Sequence, residues 1–116
     1  MLTLAILMMF QADPEGAPYP ADPPCSEGGT FGMARCLEQQ AAQWDARLNS
    51  EYKAAQHRLS PARRILLQTA QRDWVRYRTA NCRFYASHEG TVSQLWSNNC
   101  ELDMAKARTI ELRKLD

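Results

Sequence analysis

Three runs of apolar residues at helical spacing, divided by Ser60-Pro61 and by His88-Glu89-Gly90, restrict this chain to an all-α fold. In the first run Leu37, Ala41, Trp44, Leu48, Tyr52, Ala55 and Leu59 recur at intervals of three and four, which gives one continuous apolar face. Thr30 is the expected N-cap, and Ser60-Pro61 stops the helix while placing Pro61 in the first turn of the next. The second run carries Ile65, Leu66, Ala70, Trp74, Tyr77, Ala80 and Phe84 as its apolar set and ends near Gly90. The third extends from about residue 92 to 115 through Leu95, Trp96, Leu102, Ala105, Ile110 and Leu112. Connections this short make successive helices antiparallel neighbours, so the predicted architecture is a three-helix up-down-up bundle over residues 30–116. At 116 residues with 45% hydrophobic content, the chain supports one domain with one small core.

The segments ahead of the bundle have a different character. Leu2 to Phe10 is an unbroken apolar run of signal-peptide length, too short to span a bilayer as a helix, and residues 1–12 are expected to be a cleaved signal. No Lys or Arg precedes that run, which fits a start placed too far downstream. No cysteine near its end offers a site for a lipid anchor, so a periplasmic or secreted product without a membrane span is expected. Residues 13–29 are rich in Pro, Gly, Ala and acidic groups with no apolar periodicity, and are expected to form a flexible leader that ends where Cys25 ties the chain down.

Four cysteines in a short exported chain point to two structural disulfides, and no C-x-x-C or zinc-like spacing offers an alternative. Folding the second and third helices about Gly90 sets Cys82 opposite Cys100. Of the three possible pairings this favours Cys82–Cys100 together with Cys25–Cys36. The fold about Gly90 also brings Arg108 toward Trp74 and Asp73, and the same operation about Ser60 places Asn49 opposite Gln71 and brings Asp45 near Trp74 and Arg78. Asp45, Asn49, Gln71, Trp74 and Arg78 therefore read as a polar network that sets helix register by mutual hydrogen bonds, in preference to a binding site.

The pattern Asp45-x-x-Leu48-Asn49-x-x-Tyr52, followed by Gln71-x-x-Trp74-x-x-Tyr77-Arg78-x-x-x-Cys82, resembles that of the LprI-type lysozyme inhibitor N-terminal domain family. The resemblance runs from about Cys25 to Leu115 and takes in all four cysteines. It implies a small secreted helical domain that binds and inhibits a lysozyme-type muramidase. The chain departs from the family's usual pattern at Gly90-Thr91-Val92-Ser93, where Gly-Gly-Ser is common, and at Ala105, where Thr is usual.

Catalysis is not expected. His57 and His88 have no recognisable nucleophile beside them, Glu101 and Asp103 cannot share a helical face, and there is no phosphate loop, metal motif or cofactor signature. Two surface features remain as candidates. The first is the stretch from Tyr85 to Asn99, constrained by the favoured disulfide and bearing His88, Glu89, Ser93 and Trp96, a composition suited to gripping a partner. For Trp96 the sequence leaves open whether it contacts a partner or packs beneath the loop. The second is the arginine-rich second helix, where Arg72, Arg76 and Arg83 share one face. As an alternative to inhibition, that face would hold an anionic envelope polymer or a partner protein. The near balance of 14 Lys plus Arg against 13 Asp plus Glu gives no overall field, and no nucleic-acid partner is expected.

Overall fold

A computed structural model describes residues 18–116, and the expected signal peptide lies outside the described residues. The chain forms α1 (Gly29–Arg58), α2 (Pro61–Tyr85) and α3 (Val92–Arg113), with no strand among the described residues. Both expected disulfides are present, with Cα atoms 5.5 Å apart for Cys25–Cys36 and 5.4 Å apart for Cys82–Cys100.

Local chemistry sets the helix ends. Ser60 caps α2 by accepting from the Arg63 amide at 3.4 Å, with Pro61 in the first turn as its missing N–H allows. The start of α1 differs from expectation, because Thr30 is not the N-cap. Gly28 occupies that position at φ 83°, in the left-handed region where a side chain is strained. A Cβ on Gly32 would lie 2.7 Å from the Glu27 carbonyl oxygen, so the chain approaches the helix there more closely than alanine permits.

The core is built mainly between α1 and α3. Ala41, Trp44, Leu48, Ala55 and Leu59 from the first helix pack against Leu102, Ala105 and Leu112 from the third, and α2 adds Leu67. One expectation fails for α2: Ile65, Leu66, Tyr77 and Phe84, expected to face the core, are exposed, at 64%, 70%, 61% and 69%. The face that turns inward instead carries Leu67, Gln71, Trp74, Arg78 and Cys82. A disulfide and two inward polar groups, buried Gln71 and half-buried Arg78, that need partners fix the rotation of this helix, outweighing the larger apolar count of the other face.

Arginines also tie the ends of the bundle together. The Arg58 guanidinium donates to the carbonyls of Leu115 at 2.8 Å and Leu112 at 3.1 Å, Arg63 donates to the Asp116 carbonyl, and Arg64 donates to Gln56 and Leu59. Cations placed on the last carbonyls of a helix satisfy acceptors that have no intrahelical donor and complement the helix dipole.

The expected flexible leader is held in place over its described part. Residues 18–28 run back along α1 as an extended strap, antiparallel to it. Tyr19 packs edge-on against Trp44 with centroids 5.1 Å apart and donates to Glu51 at 2.6 Å. Gln40 donates to the Pro23 carbonyl at 2.5 Å, and Asp22 accepts from Trp44 Nε1 at 2.9 Å while pairing with Lys106 at 2.7 Å. Composition gave no hint of this, because the anchors are isolated polar and aromatic groups rather than a periodic apolar set. Arg47 lies over both Trp44 and Tyr19, at 4.6 and 5.2 Å.

These contacts make the strap sensitive to pH at both extremes. Burial opposes the charge on Asp22, but hydrogen bonds from Lys106 and Trp44, with the nearby cations, outweigh it and hold the carboxyl below its ordinary value of 3.8. A depressed carboxyl contributes stability above its unfolded pKa and loses it as pH falls through the folded value, so this anchor weakens below about pH 4. Tyr19 is pushed up to about 12, first by burial and then by its hydrogen bond to Glu51. Its contribution is complete below about pH 10, the ordinary tyrosine value, and lost as pH rises toward the folded one. Trp44 fluorescence should therefore change on acidification below pH 4 and on alkalinisation above pH 10, and Asp22→Asn should remove the acid transition. A wild-type acid transition retained in full by Asp22→Asn would refute the assignment.

Candidate partner-binding site

A cluster of half-buried polar groups is arranged around Arg78. Its guanidinium pairs with Asp45 at 2.7 Å and with the Glu101 carboxylate at 2.6 Å, donates to the Glu101 carbonyl at 3.0 Å, and lies 5.5 Å from the Trp74 ring centroid. One side chain thus joins all three helices. In the sequence Glu101 reads only as a rejected acid–base partner of Asp103, although its place four residues before Ala105 sets it beside the α2 face.

The rest of the expected network is rearranged. Asn49 is exposed, makes no side-chain hydrogen bond among the described residues, and does not meet Gln71. Gln71 instead accepts from Arg108 Nε at 2.9 Å, and Arg108 pairs with Glu111 at 2.9 Å rather than with Asp73 or Trp74. Asp73 lies on the outward side of α2, where among the described residues it reaches Arg76 at 3.8 Å. The rotation of α2 turns Gln71 toward α3 and Asp73 away from it, while Asn49 stands on the exposed side of α1.

The stretch expected as a loop from Tyr85 to Asn99 is mostly helix. Only residues 86–91 are irregular, and α3 already includes Ser93, Trp96, Asn98 and Asn99. The connection is a compact tip. Gly90 turns it at φ 75°, the Ser93 amide donates to the Gly90 carbonyl at 3.2 Å, and the Ser93 hydroxyl donates to the Ala86 carbonyl at 2.5 Å. Ser87 donates through its hydroxyl to Phe84 at 2.6 Å. The Ser93 hydroxyl is therefore engaged in bracing the turn. His88 stacks on Trp96, with centroids 5.5 Å apart and planes inclined by 28°, and Glu89 stands exposed beside them.

Trp96 is 44% exposed, half packed and half open. Two shallow concavities flank it. One, of about 210 Å³, is lined by Asn81, Tyr85, Asn99, Asp103 and Met104 beside the Cys82–Cys100 bridge. The other, of about 320 Å³, is lined by Leu37 and Leu95 beside Cys25. Both disulfides thus border the surface around this tryptophan. Arg72, Arg76 and Arg83, the other candidate face, are exposed on α2.

Among the described residues no group of three or more His, Cys, Asp or Glu is placed to hold a metal ion, and no helix is long and apolar enough to cross a membrane. What the geometry offers is a small, disulfide-stapled helical domain with a rigid aromatic tip. The chain belongs to the LprI lysozyme inhibitor family, whose model, "Lysozyme inhibitor LprI", matches residues 22–112. The match begins at Asp22, so residues 22–28 of the strap fall within the matched region. No curated protein and no solved structure matches the chain. Family membership and the two disulfides together suit an oxidising compartment outside the cytoplasm.

Proposed function

We propose that this protein is a periplasmic or secreted inhibitor that binds a lysozyme-type muramidase and occludes its cleft with the α2–α3 tip. The observation that carries the reading is the braced His88–Trp96 stack, presented at the end of two helices that the Cys82–Cys100 bridge joins. Muramidase clefts are concave, lined with sugar-binding groups, and work through two carboxylates. A projecting tip with an indole, an imidazole and the Glu89 carboxylate complements such a cleft. The aromatic faces replace a sugar ring, and His88 can donate a hydrogen bond to a cleft carboxylate. Because the turn is already ordered, little conformational entropy is lost on docking.

The basic face at Arg72, Arg76 and Arg83 would be repelled by a strongly basic lysozyme, which favours the tip over the helix face as the contact surface. With nearly balanced charge, the chain gains little long-range steering, so inhibition should survive physiological salt. Binding to c-type lysozyme should be measured by titration calorimetry with and without a chito-oligosaccharide that fills the cleft. Competition is expected. Undiminished binding to a saccharide-filled enzyme would refute occlusion by the tip.

A further inference from the structure

The outward face of α2 has an internal symmetry that the lysozyme reading does not use. Leu66, Ala70, Asp73, Tyr77, Ala80 and Phe84 follow one another at intervals of four, three, four, three and four, so they form one straight stripe along the helix. All six are exposed, and the stripe spans about 27 Å at the rise of an α-helix. Read from either end, its order is the same in kind: large apolar, small, polar, polar, small, large apolar.

We propose that this stripe is a self-complementary interface on which a second copy of this chain docks, antiparallel, about a two-fold axis beside position 75. In that arrangement Leu66 meets Phe84 of the second copy, and Ala70 meets its Ala80, letting the two helices approach closely between bulky ends. Asp73 falls opposite Tyr77 and about one residue's rise from Arg76 of the second copy. The carboxylate can therefore accept from the phenol and pair with the guanidinium, and the two-fold axis repeats both contacts. Within one chain Asp73 and Arg76 are 3.8 Å apart with side chains 67% and 75% exposed, leaving both available. Arg72 and Arg83 lie further round the helix, away from the contact line.

Charge and chemistry select this occupant over two others. An anionic polymer would engage the arginines but leave Leu66 and Phe84 in water. An anionic lipid surface would take both, but would bury Asp73, a carboxylate at the centre of the stripe, among acyl chains. The pairing of two copies accounts for the acid as well as the apolar ends.

Sedimentation equilibrium of the oxidised chain should show a reversible dimer. Leu66→Glu combined with Phe84→Glu, both on exposed positions, should raise its dissociation constant by at least about 100-fold while leaving far-ultraviolet circular dichroism unchanged. Asp73→Arg and Arg76→Asp should each weaken the dimer, and the two together should restore it, which only reciprocal pairing across the axis explains. A chain that stays monomeric at all concentrations, or a dimer indifferent to the Leu66/Phe84 change, would overturn the proposal. So would a monomer that instead co-sediments with phosphatidylglycerol vesicles through the same residues, which would assign the face to a lipid surface.

Discussion

Trp44→Ala should destabilise the oxidised domain by about 3–5 kcal/mol, the range for removing a large buried aromatic, against a total of about 5–15 kcal/mol for a domain of ordinary stability. Trp44 is only 4% exposed and holds two layers at once. Its ring is part of the α1–α3 core, and the strap lies over it through Tyr19 and Asp22. Truncation leaves a cavity in the first layer and removes the floor of the second. It also leaves Asp22 with Lys106 alone, and Arg47 without the indole at 4.6 Å. Trp44→Phe should cost less, because it keeps much of the packing and loses mainly one hydrogen bond to a charged acceptor, worth about 1.5–3 kcal/mol. In urea unfolding the midpoint should fall in the order wild type, Phe, Ala, with little change in slope. Equal midpoints for Phe and Ala would show that the hydrogen bond to Asp22, rather than ring packing, dominates at this position.

The second large effect is expected from Cys82→Ala with Cys100→Ala, at about 3 kcal/mol from the loop-closure entropy restored to the unfolded chain, for a sequence separation of 18 residues. The consequence for function should be larger than for the fold. The bridge closes a segment containing the whole tip, while the long α1–α3 contact and the Arg78 ion pairs lie beyond it. At temperatures where the variant remains folded, hydrogen exchange should accelerate in residues 86–91 more than in α1, and affinity for lysozyme should fall with the loss of preorganisation. Uniform acceleration throughout the domain would mean that the bridge supports the bundle as a whole and has no special hold on the tip.

Much of this architecture is legible in the sequence because the signals are local. Ser60-Pro61 and Gly90 punctuate three periodic runs, and folding about them is sufficient to pair Cys82 with Cys100 and Asp45 with Arg78. The rotation of α2 is not legible. That helix carries two competing stripes, and counting apolar residues favours Leu66, Tyr77 and Phe84, whereas the buried side is chosen by Cys82, Arg78 and Gln71, whose partners lie far away in sequence. The errors at Arg108 and Asp73 follow from that rotation, whereas Asn49 stands on the exposed side of α1. The strap was hidden for a different reason. Proline-rich backbone shows no period, and its attachment depends on Tyr19 and Asp22 finding Trp44 and Lys106 in space. At the tip, the sequence placed His88 and Trp96 in one region but could not show that they stack, nor that Ser93 is spent on bracing the turn.

The most direct test of the central claim is lysis of bacterial cell walls by c-type lysozyme, titrated with the oxidised chain and with its His88→Ala/Trp96→Ala variant at low and at physiological salt. Saturating inhibition near one inhibitor per enzyme, retained in salt and reduced at least about 100-fold in the tip variant, is the expected result, as for loss of a central aromatic anchor. Absence of inhibition at large molar excess, or equal inhibition by the folded tip variant, would contradict it.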